Sequence, residues 1–219
     1  MTTKDVSATA SIDQAKALGD LRVREARRVA LDAPHMDSLV QYVQDLRTSS
    51  SAEYQIPDFD PLDAGVNAKI FFVLEAAGPK ATASGFVSRD NPDETAKKFR
   101  ELLAIVGISR GNTVLWNIVP WYIGDGGRIR AARTAEIREG VPHLLKLIGL
   151  LPQIRAIVLV GRKAQRTSEM LAQARLDLTQ YHMPHPSPMF VNRAPENRLR
   201  LAADLRVVAQ CLVPRLQDQ

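Results

Sequence analysis

Cysteine is all but missing: Cys211 is the single one in a chain of 219 residues. That excludes an internal disulfide and any cluster held by cysteines of this chain alone. No apolar run approaches the roughly 20 residues that a bilayer-spanning helix needs. The longest, "IFFVLEAAG" and "IVLVG", read instead as buried strands. The opening stretch "MTTKDVSATASIDQ" has no apolar core of the kind a secretion signal carries. The expectation is a cytoplasmic protein without a membrane partner. A phosphate-cradling glycine motif is also missing after the first strand, which speaks against a generic nucleotide-binding module.

What is present suits a globular chain. Hydrophobic residues make up 45% and charged residues 24%, enough apolar material for one compact domain with an N-terminal extension. Net charge is +5 with a pI near 9.6. A surplus this modest fits a polyanionic partner such as nucleic acid without requiring one.

Residues 1–10 are small and polar without periodicity, and are expected to be disordered. Residues 11–60 read as a helical extension packed on the core. A charged helix is expected from Ile12 to Ala30. A clearer one runs from Met36 to Arg47, where Met36, Leu39, Val40, Val43 and Leu46 form one stripe. "TSSSAEYQIPDFDP" (48–61) reads as a loop.

From 61 to 219 strands alternate with helices. "AKIFFVLEA" (68–76), "NTVLWNIVPW" (112–121, ended by Pro120), "RAIVLVG" (155–161) and a short run from Leu178 to Met183 read as strands. "NPDETAKKFRELLAIVG" reads as a helix capped by Asn91, with Pro92 in its first turn, and stopped by Gly107. A helical region follows from Ile129 to Gly149, interrupted near Pro142, and then "RKAQRTSEMLAQARL". A last helix, Glu196 to Leu212, buries Leu201, Leu205, Val208 and Leu212, with Cys211 bordering that stripe as a small packing residue. The pattern predicts an α/β fold: three α/β/α layers around a central four-stranded parallel sheet.

Ligands of such sheets bind beyond the carboxyl ends of the strands. Four stretches should therefore meet: "LEAAGPK", "NIVPWY", "VGRKA" and "HPSPMF". Glu75 at the first can serve as a general base, stabilise a developing cation, or be an exposed loop carboxylate. Phe86 either stacks on a flat heterocycle or fills the core. Asn117, set in an apolar run, must find partners for a donor and an acceptor; these are neighbouring backbone groups or the edge of a base. Trp121 and Tyr122 read as wall. In "HPSPMFVNR" (185–193) two prolines, with Pro184 just ahead of them, impose a stiff loop that presents His185, Ser187 and an apolar tip, Met189 and Phe190.

Together these stretches resemble the uracil-DNA glycosylase superfamily. "HPSPMFVNR" looks like its His-Pro-Ser-Pro intercalation loop, including the trailing Arg193. "LEAAGP" is similar to the Gly-Glu-Ala-Pro-Gly motif of its iron–sulfur branches. "GFV" matches the stacking phenylalanine, and "LWNIVP" matches the strand whose asparagine reads uracil. Order and spacing agree from about Lys69 to Leu212.

The resemblance implies roles. Phe86 would stack on the flipped base, Asn117 would bond its edge at N3 and O4, and His185 would stabilise charge on O2. Glu75 would position water and stabilise the sugar cation. Ser187 and Arg193 would contact phosphates, while Met189 and Phe190 would enter the vacated stack. Ala76 and Gly78 stand at base-pocket positions where the best-known branch has its catalytic aspartate and a tyrosine that blocks the thymine methyl. Exclusion would then fall to Lys80 or Ala81, and Asp90 or Asp93 can share the carboxylate work.

With one cysteine the iron–sulfur cluster is excluded, and no metal or cofactor is expected. The implied activity is monofunctional hydrolysis of the N-glycosidic bond of uracil in DNA, by a monomer, leaving an abasic site and free uracil. Removal of hypoxanthine or xanthine, or binding of uracil-DNA without release, are the alternatives.

Overall fold

The computed structural model describes residues 12–124, 128–174 and 178–213; the expected disordered tail at 1–10 lies outside them. The expected helix from Ile12 to Ala30 is broken. A 3-10 turn at Ala17–Gly19 precedes α1, Leu21–Val29. The break follows from Asp20, whose carboxylate accepts the Arg22 N–H at 2.8 Å, and from Leu18, which turns inward until it is fully buried. Helix α2, Asp37–Ser49, carries the expected stripe, with Tyr42 added: its ring is buried and its hydroxyl donates to the His143 carbonyl at 3.0 Å.

The stretch expected to be loop contains β1, Asp58–Phe59, and the main sheet begins with β2, Ile70–Ala77. Helix α3, Pro79–Ser84, leads to β3, Phe86–Val87, which pairs in parallel with β1 as a separate two-stranded ribbon. Helix α4, Glu94–Ile105, is capped by Asp93, whose side chain accepts the Ala96 N–H at 2.8 Å. The expected cap, Asn91, is instead buried, bonded to Ser84 and to the Phe86 carbonyl.

Strand β4, Thr113–Tyr122, runs on through Pro120. It can do so because β4 lies at the sheet edge, where a missing N–H costs no ladder bond, and a register shift at Ala76/Ala77 absorbs the extra residues. Helix α5 starts at Thr134, later than expected, and continues unbroken through Pro142 to Gly149. It lies close on β4 because Gly140 faces the Ile118 carbonyl, where a Cβ would come within 2.0 Å.

Strand β5, Ala156–Val160, is followed by two short helices, α6, Arg162–Gln165, and α7, Ser168–Ala174, and then by β6, Thr179–Met183. A one-turn helix, α8, Pro188–Val191, and α9, Pro195–Ala209, complete the chain. Cys211, partly buried beside the core, has its thiol pushed up by burial.

The four long strands form one parallel sheet in the order β4-β2-β5-β6. The chain steps one way from β2 to β4 and the other way from β4 to β5, so right-handed crossovers place α4 and α5 on opposite faces. Contacts agree: α9 packs on α4, while α2 and α7 pack on α5. This is a three-layer α/β/α fold. Its connections reverse direction between β2 and β5, and that switch point is where a ligand crevice is expected. Among the described residues no helix is long and apolar enough to cross a membrane.

Candidate active site

At the switch point lies an inner cavity of about 240 Å³. The carboxyl end of β2 contributes Ala76 and Gly78, β4 contributes Asn117, and the stretch after β3 contributes Ser88, Arg89 and Asn91. His185 and Pro186 close one side. Beyond them is an outer groove of about 590 Å³, lined by Ser187, Met189, Phe190 and Arg193 and by the cations Arg162 and Arg200. His185 lines both. A depression of similar size, about 620 Å³, lies beside Tyr54, Trp121 and Tyr122 but is lined by none of the sequence-predicted site residues except the wall pair Trp121 and Tyr122.

The proline loop reaches this place because β6 ends at Met183, whose carbonyl accepts from the Gly161 N–H at 2.9 Å and from Gln165 at 3.0 Å. Gly161 adopts φ +85°, open to glycine alone at little strain. Burial holds the His185 imidazole below its ordinary range, while the nearby carboxylates of Glu75 and Asp93 pull it back up. The ring is therefore neutral at neutral pH, with one N–H to donate.

Asn117 is 3% exposed and its Nδ2 has no hydrogen-bond partner. Leaving such a donor unpaired costs about 1–3 kcal/mol, a cost that a ligand acceptor would remove. Ala81 lines the cavity and Lys80 does not.

Three expectations need correction. Phe86 does not reach the cavity. It is 1% exposed and packs with Ala17, Leu18 and Val23, while Val87, on the opposite face of the same two-residue strand, lines the wall. The aromatic ring at the cavity is Phe99, from α4, packed edge-on to Phe72 with centroids 4.9 Å apart. Glu75 is also outside the lining; its Oε1 accepts the Ala132 N–H at 2.6 Å. Asp90 is fully buried and committed to Arg27, Arg100 and Arg110, so it has no share in the cavity. Ser187, expected to touch phosphate, also caps α8: its Oγ accepts from the Phe190 N–H at 3.3 Å.

Behind the cavity wall lies a network missed from sequence. Arg27, completely buried, pairs with Asp60 at 2.5 Å and Asp90 at 2.7 Å. Arg110 pairs with Asp60, Asp63 and Asp90 at 2.9, 3.1 and 3.0 Å. Arg89 binds Asp63 at 3.3 Å and also Thr113. Burial raises Asp60, but Arg110 and Arg27 more than offset it, so its carboxyl is held below the ordinary range. Asp63 is pushed up to about 6, burial outweighing Arg89 and Arg110. The signal in sequence was the polar run Ser88-Arg89-Asp90-Asn91 directly after an apolar pair, too polar to be buried unless paired.

No curated protein sequence matches the chain. Among solved structures it is similar to a substituted UNG from Nitratifractor salsuginis, at 11% identity over 83% of this chain and 96% of that one, with a TM-score of 0.47. It is also similar to a mimivirus UNG solved with UGI, at 13% identity over 76% of this chain and 74% of that one, with a TM-score of 0.41. Likenesses this distant carry no argument. The sequence family is another matter: residues 62–206 match the Uracil DNA glycosylase superfamily. That span holds the whole four-stranded sheet, the unpaired amide of Asn117 and the histidine that divides cavity from groove, and on it the chain belongs to the uracil DNA glycosylase superfamily.

Proposed function

We propose that the protein removes uracil from DNA, hydrolysing the N-glycosidic bond of a nucleotide turned out of the duplex and leaving an abasic site. The observation that carries this reading is the position of His185 between a base-sized inner cavity and an outer groove edged with arginines. A base in the cavity and its sugar-phosphate in the groove would place the glycosidic bond at the boundary between them.

The residues then divide the work. Asn117 Nδ2 donates to the base O4 and Oδ1 accepts from N3–H, which satisfies the buried amide. As the C1′–N1 bond breaks, its electron pair passes to the base and is delocalised onto O2. The neutral His185 donates a hydrogen bond there without giving up its proton. The sugar is left with cationic character, and the charge of Glu75, held outside the cavity lining by its bond to Ala132, favours it at a distance rather than by contact. Water adds its oxygen to C1′ and its proton goes to the base, giving neutral uracil and an abasic sugar.

Arg162, Arg193 and Arg200 neutralise phosphates along the groove. Met189, 85% exposed in the one-turn helix α8, fills the gap in the stack. Phe99 supplies the aromatic wall.

A second reading has one observation in its favour. A Cβ at Gly78 would meet nothing within 4 Å, so the cavity is open at the end of β2. That leaves room for a deaminated purine, hypoxanthine or xanthine. The test is a single-turnover assay on duplexes bearing uracil, hypoxanthine or xanthine. Release of uracil, abolished in Asn117→Ala and His185→Ala, supports the first reading. Release of a purine alone supports the second, and intact strands with every lesion remove both.

A further inference from the structure

The apolar wall of the inner cavity is uneven. Val87, Phe99 and Leu115 line it as members of the main core, and Leu74 packs against that core. Ile129 lines it too, yet belongs to neither buried cluster and is 44% exposed. A lone exposed isoleucine is unremarkable by itself. This one stands on backbone fixed from four directions.

Ile129 forms an antiparallel bridge with Gly124. Tyr122 donates its hydroxyl to the Arg128 carbonyl at 3.2 Å. Glu75 accepts the Ala132 N–H at 2.6 Å, and Lys163 Nζ donates to the Ala132 carbonyl at 2.5 Å. Gly124 is required for the bridge, since a Cβ there would fall 2.1 Å from the Tyr122 hydroxyl and 2.2 Å from the Arg128 carbonyl.

A carboxylate and an ammonium group thus grip one alanine, itself 1% exposed, whose side chain has no chemistry. Their effect is positional: they decide where residues 128–132 run, and so where Ile129 stands. The end of β2 lines the same cavity with Ala76, Ala77 and Gly78, and a Cβ at Gly78 would meet nothing within 4 Å. The residue at position 78 therefore places no limit on the size of what enters.

We propose that Ile129 sets the size of base the cavity admits, and that Glu75 and Lys163 serve as its positioning residues through Ala132. The proposal rests on the uracil-excision reading and deepens it, because it names the side chain that separates uracil from pyrimidine-2,4-diones with bulk at C5. One methyl group in an apolar pocket is worth about 10–200-fold in selectivity.

The experiment compares excision of uracil, 5-fluorouracil and thymine, each opposite guanine, by the wild type, Ile129→Ala, Ile129→Val and Lys163→Ala. Ile129→Ala is expected to raise the thymine-to-uracil rate ratio at least tenfold, with Ile129→Val between it and the wild type. Lys163→Ala is expected to shift the ratio in the same direction without altering the melting temperature. Ile129→Val keeps the comparison decisive should the alanine variant fail to fold. A ratio within twofold of wild type in every variant overturns the proposal.

Should the wild type release no base at all, the excision reading fails while the size rule is still decided. Free uracil and thymine are then titrated against the Asn117 side-chain amide signal in wild type and variants. A tenfold gain for thymine relative to uracil supports the rule, and no gain overturns it.

Discussion

Gly161 and His185 stand so close that a Cβ on the glycine would lie 3.3 Å from the Cβ of the histidine. The end of β5 and the proline loop are thereby fitted to each other, with no side chain between them. Gly161→Ala would meet this contact and also the backbone at φ +85°, ψ 160°, an extended positive-φ conformation that costs a residue with a Cβ about 1–3 kcal/mol. The variant is expected to lose that much stability, and at least tenfold in single-turnover uracil release as His185 is pushed off its place. Unchanged release with the stability loss present would show that the exact seat of the imidazole does not matter.

The titration of His185 offers a second check. Burial lowers its midpoint below 6.5, and the charges of Glu75 and Asp93 oppose that shift. A depressed folded value means the fold favours the neutral ring, so its contribution to stability is full above 6.5 and declines as pH falls toward the folded midpoint. Glu75→Gln keeps an oxygen for the Ala132 N–H but removes the charge. The midpoint, followed by ring carbon and nitrogen shifts, is expected to fall further in that variant. A rise would contradict the placement of Glu75 beside His185.

Met189 is 85% exposed and supports no packing. Met189→Ala is therefore expected to leave the unfolding midpoint unaltered, within about 0.5 kcal/mol. Release of uracil from duplex DNA should fall severalfold, with little change on single strands, where there is no stack to fill. Equal losses on both substrates would rule out a role in the stack.

The buried ion network predicts a stability pattern. Arg27→Met strands Asp60 and Asp90 without one of their cations, and breaking a buried pair costs about 3–5 kcal/mol. Urea unfolding should show a loss of that size. Asp63 carries the opposite pH signature from a salt-bridged carboxylate. Its value is raised from 3.8 to about 6, so its contribution is full below 3.8 and is lost as pH rises to about 6. The stability of the wild type relative to Asp63→Asn should therefore fall across that window and level off above it.

Much of the architecture could be read directly. Strands buried on both faces announce themselves as unbroken apolar runs, and β2, β4 and β5 fall where those runs do. Asn117 and His185 were visible because a lone amide in an apolar strand and a histidine between prolines are locally odd, and both line the cavity. Phe86 went wrong for a reason of geometry. In a two-residue strand adjacent side chains face opposite ways, and the choice between Phe86 and Val87 is made by pairing with Asp58 and Phe59 and by Leu18 and Val23 arriving from far upstream. The segment 129–133 read as helix because its composition permits one. Bonds to Glu75 and Lys163, distant in sequence, hold it extended.

The same long reach has a consequence for how the chain is made. Arg27 neutralises its charge on Asp60, 33 residues later, and on Asp90, 63 residues later. During vectorial synthesis the N-terminal helix must therefore wait, its arginine in water, until most of the first half of the chain has left the ribosome. Only when Arg110 follows can the carboxylates behind the cavity be fully matched. A nascent chain paused before Asp90 has emerged holds that helix without its full set of buried partners, and unpacked segments of this kind are what chaperones and proteases act on.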